Sequence, residues 1–454
     1  MNAIMKPFDA SRSSSRSRRN AAITLALLTL GYAGYYLCRS NLSVAQPSIM
    51  KDLVAAGMSA NQAKREMGLI VSLGTLAYAI GKFVGGGLGD SLGGRRVFLI
   101  GMAGAVAATV AFPLGGSIAV YRSAWVANRL VQSIGWLGLV KVCGRWFPEN
   151  RRGRVMAFAS LSFLFGDSIA RRFMGALIEH HFTWRHVFFA AAAVLFVLFL
   201  INYMFLHESP LDTGDVEPSG GVDSVFGAAG DAADPAPLGS LLGPLLSSPG
   251  FLLVCLVSFG YTLLRETFNS WTPTYFVEAI GLSQADAANK SALFPLFGGV
   301  SVLLAGYLAD RVGRAGRASI LFAGLVCGGA LLLALGRIDF HGSKTAPVAL
   351  VALVGFTLIG PYSYMAGAIA LDFGGKRGAA TASGLIDGFG YLGGILAGET
   401  VARILVGRGW NGAFQTLAAV AWFSAIAAAV LVAVELARTR RDLPLEAAVA
   451  DETT

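Results

Sequence analysis

GYAGYYLCRSN (31–41) and FGYTLLRETFNSW (259–271) are two versions of one design. Each sets an arginine, Arg39 or Arg265, inside a long apolar segment, and the two arginines stand 226 residues apart. An arginine near the middle of a membrane helix costs roughly 2.5–3.5 kcal/mol on insertion scales. A cation kept there twice, at matching places, marks a site. The natural ligand for the pair is an anion.

The rest of the chain carries the same signature. Its 454 residues are 55% hydrophobic and 14% charged, with 57 glycines, and the mean hydropathy is +0.61. That is far too apolar for an ordinary soluble protein, so an integral membrane protein in a lipid bilayer is expected. The net charge of +9 would point to nucleic acid in a soluble chain. Here the basic residues fall largely in short connections, where they set topology, and no nucleic-acid partner is expected. Cys38, Cys143, Cys255 and Cys327 are scattered through apolar segments without CxxC or ligand spacing, so neither a disulfide framework nor a metal site is indicated. Small apolar packing is their expected role. No nucleotide phosphate loop or other cofactor motif is present, and an enzyme is not expected.

A membrane helix needs about 20 mostly apolar residues. Stretches of that kind fall at 22–46, 67–89, 97–117, 122–144, 154–178, 185–206, 250–278, 290–310, 317–336, 346–371, 378–402 and 411–436. The expected fold is therefore all-α, with twelve transmembrane helices. Between spans six and seven lies 208–249, rich in Gly, Ala, Pro, Ser and Asp and devoid of Lys and Arg, which reads as a flexible linker. This gives a tail at 1–21, a six-helix bundle at 22–207, the linker at 208–249, a second bundle at 250–436 and a tail at 437–454. Cations gather on one side, at 12–19, Arg95, Arg96, 151–154, Arg311, Arg314, Arg317, Lys376, Arg377 and 438–441. The positive-inside rule then places both termini and the linker in the cytoplasm, with the chain in a plasma membrane of the bacterial inner-membrane kind.

The two halves repeat. GGLGDSLGGRR (86–96) matches GYLADRVGRAGR (306–317), with Asp90 and Asp310 220 apart; Arg152-Gly153 matches Arg377-Gly378, and Trp184 matches Trp410. Parallel halves of this kind are the architecture of major facilitator transporters, where substrate binds near midplane between pseudo-symmetric six-helix bundles. Asp90 and Asp310, beside Arg95, Arg96 and Arg314, read as a latch that holds one conformation through charge-assisted hydrogen bonds.

Several further stretches, YAIGKFVGGGLGD (78–90), SIGW (133–136), GPYSYMAGAIALDFGGKRGAATASG (360–384) and FGYLGG (389–394), occur in order with the two arginine segments. Together they resemble the organophosphate:phosphate antiporter family, which includes bacterial glycerol-3-phosphate and hexose-phosphate transporters. The resemblance implies that Arg39 and Arg265 are the family's paired phosphate-binding arginines. It implies that Tyr32, Tyr36 and Tyr78 line the cavity, that Lys82 is the lysine of the second span, and that Tyr391 is the tyrosine of the eleventh. The chemistry agrees, because guanidinium forks donate parallel hydrogen bonds to tetrahedral oxyanions and tyrosine hydroxyls reach the remaining oxygens.

The chain also departs from the family. Phe163 stands where the glycerol-3-phosphate transporter has a histidine, Ser40 where a basic residue often follows the first arginine, and Leu137 and Gly138 where two prolines are expected. Span five instead carries Asp167, Arg171 and Arg172, with Phe163, Asp167 and Arg171 at four-residue spacing on one face. Asp167 with Arg171 reads as an ion pair or a ligand contact. Asp387 has no sequence-local partner and reads as a cross-bundle pair or a coupling carboxylate. The expectation is a monomeric secondary transporter that exchanges an organic phosphate for inorganic phosphate. Alternatives are proton-coupled uptake of an organic anion or phosphonate, with Asp387 or Asp167 as carrier, and a transporter-like sensor of a sugar phosphate.

Overall fold

The computed structural model describes residues 10–147, 149–216, 242–243, 245–338, 342–365 and 369–451. Most of the expected linker, at 217–241, falls outside them, as do the side chains of Asp90 and Asp310. The described chain is helical throughout. The first-half helices are α1 (Ala10–Ala55), α2 (Ala60–Leu92), α3 (Gly94–Leu114), α4 (Ile118–Ser133), α5 (Gly135–Trp146), α6 (Glu149–Glu179) and α7 (Trp184–Phe205). The second-half helices are α8 (Pro249–Glu278), α9 (Gln284–Ser291), α10 (Leu293–Arg337), α11 (Thr345–Tyr362), α12 (Ala370–Leu396) and α13 (Glu399–Asp451).

Local chemistry explains where several helices begin. Ser59, Ser117, Ser248 and Ser283 each accept a backbone N–H three residues on, and Pro249 fills the first turn of α8, where its missing N–H costs nothing. Gly93, at φ 83°, turns α2 into α3 in a conformation that favours glycine. The amides of Gly94 and Arg95 then donate to the Glu208 carboxylate, which caps the positive end of α3.

Helix boundaries differ from the sequence reading in three places. Span four, expected at 122–144, breaks at Ile134 into α4 and α5. The glycines there bring backbones together: a Cβ on Gly138 would lie 2.6 Å from the Gly94 carbonyl, and one on Gly135 would lie 2.8 Å from the Tyr35 ring. Spans eight and nine are drawn as one helical run, α10, preceded by the separate short α9. Span eleven ends its first run at Leu396, and the remainder joins span twelve in α13 across a kink at Gly409, whose φ of 64° and ψ of −171° are non-helical. Among the described residues, eight helical stretches are long and apolar enough to cross a membrane, one of them reaching from Ala382 to Ala437.

Core packing follows the division of the chain. One large apolar cluster gathers residues between Leu245 and Leu431, around Phe251, Tyr261 and Phe294. Another gathers residues between Leu27 and Leu206, joined by Ala288, around Tyr35, Phe98 and Leu195. Cys38, Cys143 and Cys255 are buried as packing residues, whereas Cys327 is exposed. Across the division α1 lies against α8, α2 against α12 and α13, and α6 against α9 and α10. The cavity lies between these faces.

Candidate functional site

Proline chemistry closes one end of the cavity. Pro273 lacks an N–H, so the carbonyl of Asn269, four residues earlier, loses its helical partner. Two side chains from the first half take it: Ser43 Oγ donates at 2.8 Å and Arg171 Nη2 at 2.9 Å. Nearby, Arg171 Nη1 donates to Ser291 Oγ at 3.2 Å and Ser168 Oγ to the Ala292 carbonyl at 3.1 Å. Gln284 meets Ser48 and donates to the Val44 carbonyl, while Lys64 pairs with Glu278 at 2.7 Å. On the other flank Ser72 donates to the Ile395 carbonyl and accepts from the Glu399 amide. There α2 and α13 pass backbone to backbone, since a Cβ on Gly398 would lie 2.3 Å from the Gly68 carbonyl. These contacts cluster where α1 turns into α2 and α8 into α9.

From that closed end a cavity of about 1010 Å³ runs between the halves toward Lys141, Ser160 and Ser383. Arg39 and Arg265 both line it, one from each half, as do Tyr32, Tyr36, Tyr78, Lys82 and Tyr391. Arg39 is gripped from three sides. Its Nε donates to Gln132 Oε1 at 3.0 Å, its Nη1 donates to Tyr36 OH at 3.1 Å, and its guanidinium lies over the Tyr36 and Tyr78 rings. Gln132 is itself oriented, because its amide nitrogen donates to the Cys38 carbonyl and to Asn128. Arg39 Nη2 is buried without a hydrogen-bond partner among the described residues. Arg265 stands over the Tyr362 ring at 4.3 Å and pairs with Glu266 at 3.0 Å, leaving its buried Nε without a hydrogen-bond partner among the described residues. Each arginine thus keeps an unused donor.

A second cluster crosses the halves beside the two arginines. Lys82 Nζ meets Asp387 at 3.4 Å, and the Tyr362 hydroxyl donates to the same carboxylate at 3.4 Å. Tyr78 and Tyr391 pack together at 5.4 Å and both flank the Lys82 ammonium. The partner that Asp387 lacks locally in sequence is supplied by the other half.

The span-five face is divided in use. Phe163, Asp167 and Arg171 all border the cavity, but Asp167 and Arg171 are spent on each other at 3.1 Å. Asp167 also accepts from Ser40. The pair therefore belongs to the closed end and not to a free ligand contact, while Arg172 is exposed and contributes no cavity charge. Phe163 instead extends an aromatic wall, with Trp136 at 6.0 Å and Tyr32 beyond it at 5.1 Å from Trp136.

The described hydrogen bonds and ion pairs of Arg95 and Arg314 fall within their own halves. Arg95 donates to the Leu206 and Tyr203 carbonyls at the end of α7. Arg314 pairs with Glu435 of α13 at 3.3 Å. Arg96 lies at the start of α3 without a described bond to the other half.

Some cavity residues escaped the sequence reading, Arg129 and Tyr362 among them. Arg129, in α4, is only 7% exposed and stacks its guanidinium over the Tyr78 ring at 4.6 Å. An arginine inside an apolar span was the available signal, the same one that marked Arg39.

Residues 28–398 match the family model described as Major Facilitator Superfamily. The chain is 25% identical to the glycerol-3-phosphate transporter of Bacillus subtilis, over 86% of this chain and 87% of that protein. It is 26% identical to the "Probable hexose phosphate transport protein" of Chlamydia trachomatis, over 87% and 88% of the two chains. Among solved structures it matches a bacterial homologue of the human lysosomal transporter Spinster, in an inward-facing and unoccupied conformation. The TM-score is 0.71 at 16% identity, with 91% of this chain and 96% of that one covered.

Proposed function

Because the chain belongs to the major facilitator superfamily, and is therefore a multi-pass membrane transporter and not an enzyme, we propose that it carries an organic phosphate in exchange for inorganic phosphate. The observation that carries this reading is the pair Arg39 and Arg265, one from each half, facing one cavity with a buried, unused nitrogen apiece. A phosphoryl group offers the oxygens those donors lack. The relatives named for glycerol 3-phosphate and hexose phosphate are consistent with that ligand class.

The mechanism proposed is alternating access. With the termini cytoplasmic, the cavity extends inward and the Asn269 seam closes the outer end. A phosphoryl group gripped by both arginines draws the halves together over it and lowers the barrier to reorientation. The empty site, where Glu266 offsets Arg265 but no described carboxylate pairs with Arg39, resists that closure. Coupled exchange follows, since only a loaded carrier crosses. A proton-coupled reading rests on Asp387, whose partner Lys82 lies in the other half. Asp387 is engaged by the Lys82 ammonium and the Tyr362 hydroxyl, contacts that a structural pair between the halves also accounts for.

The test is phosphate exchange in proteoliposomes loaded with inorganic phosphate. Arg39→Lys and Arg265→Lys keep the charge and lose the fork, so each is expected to cut exchange by at least about tenfold with membrane insertion intact. Exchange in the unsubstituted protein is expected to survive a proton ionophore. Near-normal rates in Arg39→Lys would refute the clamp; uptake that collapses with the ionophore and needs no internal phosphate would establish the proton-coupled reading.

A further inference from the structure

Glu266 puts a negative group inside an anion site. It follows Arg265 directly in α8, lines the cavity, and accepts from Arg265 Nη2 at 3.0 Å through Oε1. Its side chain is 13% exposed. Among the described residues that bond uses Oε1 alone, and no donor meets the second carboxylate oxygen. Arg39 and Arg129, from the first half, also act on Glu266 electrostatically. With three guanidiniums around it the side chain is a carboxylate, which accepts hydrogen bonds and has no proton to give. The other acidic residues lining the cavity each meet a cation and a hydroxyl, Asp167 at Arg171 and Ser40, Asp387 at Lys82 and Tyr362.

Holding Arg265 in place does not require that charge. A glutamine would accept the same hydrogen bond without repelling the ligand. An ionised carboxylate repels every bare oxygen of a tetrahedral anion, but it attracts an oxygen that carries a proton. Inorganic phosphate keeps such a proton at neutral pH, and a phosphomonoester keeps it in part, since its last proton leaves at a pKa of about 6. Sulfate has the same shape, is fully ionised and has no O–H.

Resting on the organic-phosphate reading, we infer that Glu266 is a specificity residue, which accepts a hydrogen bond from the protonated oxygen of the phosphoryl group held by Arg39 and Arg265 and thereby excludes sulfate. Oε1 stays on Arg265, and the second oxygen takes the P–O–H. A tetrahedral anion without a proton meets that oxygen acceptor to acceptor, with nothing to pair it.

The probes are inorganic phosphate and sulfate. Their binding to the purified full-length protein in detergent is read by ligand-induced thermal stabilisation. The wild-type protein is expected to favour phosphate by at least about a hundredfold, because a site built to bond a hydroxyl rejects the analogue that lacks it. In Glu266→Gln the side chain keeps its shape and its acceptor for Arg265, while an amide N–H replaces the second oxygen. That N–H donates to a sulfate oxygen, so sulfate binding strengthens and the ratio falls to within about tenfold of unity. Glu266→Asp keeps the acceptor and is expected to keep phosphate further ahead of sulfate than the glutamine variant does.

A wild-type protein that binds sulfate as well as phosphate overturns the inference, as does an unchanged ratio in Glu266→Gln or the reverse order of the two variants. Loss of both anions in Glu266→Gln also overturns it, because the carboxylate would then serve the arginines and not the ligand. In each of these cases phosphate binding by the wild-type protein leaves the organic-phosphate reading standing. A wild-type protein that binds neither inorganic phosphate nor glycerol 3-phosphate would sink that reading, and this inference with it.

Discussion

Asp167 and Arg171 form the most deeply buried ion pair described, with side-chain exposures of 9% and 2%. Removing one member leaves the other charge desolvated, which costs about 3–5 kcal/mol, while replacing both by neutral groups costs less. Asp167→Asn alone is therefore expected to lower the melting temperature in detergent more than the double substitution Asp167→Asn/Arg171→Gln. A double variant at least as unstable as the single one would show that Arg171 contributes mainly through Asn269 and Ser291. At this scale the sequence was legible where the duplication spoke twice. Arg39 and Arg265 announce each other at a spacing of 226, but Arg129 has no echo, since nothing charged occurs at 349–355 in the second half. Asp387 and Lys82 meet only in three dimensions, across 305 residues of chain.

Pro47 and Pro273 are the element-scale counterpart of the paired arginines, each four residues after the partners Ser43 and Asn269. Those partners are themselves 226 apart, so Ser43 bonds its own repeat mate through a carbonyl that proline has freed. Restoring an N–H with Pro273→Ala offers the Asn269 carbonyl its helical partner again and weakens both cross-half bonds. The expected result is a shift toward the opposite-facing state. It can be read as faster labelling of Gln46→Cys, at the closed end, by a membrane-impermeant thiol reagent; unchanged labelling would mean that the freed carbonyl does not hold the closure. The period of apolar residues located the helices, but it did not register the break at Ile134 or the short α9. Those depend on glycine contacts and inter-helix packing that no single segment encodes.

On the scale of the whole molecule, the described cross-half bonds concentrate at the end where α1 turns into α2, apart from the Lys82–Asp387 pair deeper in the cavity. A carrier that alternates must part those contacts once per cycle. Ser48 and Gln284, which touch across the seam, provide the check. Oxidising the double variant Ser48→Cys/Gln284→Cys is expected to join the halves and stop phosphate exchange, and reduction is expected to restore it. Full exchange in the cross-linked protein would rule out rocking about this seam. The twelve-span count and the internal repeat were readable from hydropathy and four matched landmarks, because both follow from the bilayer's thickness and from duplication. Which end is shut follows from hydroxyl and carbonyl geometry that hydropathy cannot express.

The seam's acceptors have a consequence for how this protein tolerates change. Ser43, Ser72, Ser168, Arg171 and Gln284 all donate to main-chain carbonyls of the opposite half, at Asn269, Ile395, Ala292 and Val44. A side chain can be lost by one nucleotide change, but a carbonyl is present whatever residue occupies the position. Inheritance therefore acts on only one side of each bond. Exhaustive substitution should reveal a lopsided seam, sensitive at the donors and, at the partly exposed acceptors Asn269 and Ile395, tolerant of side-chain change except where a proline alters the backbone itself.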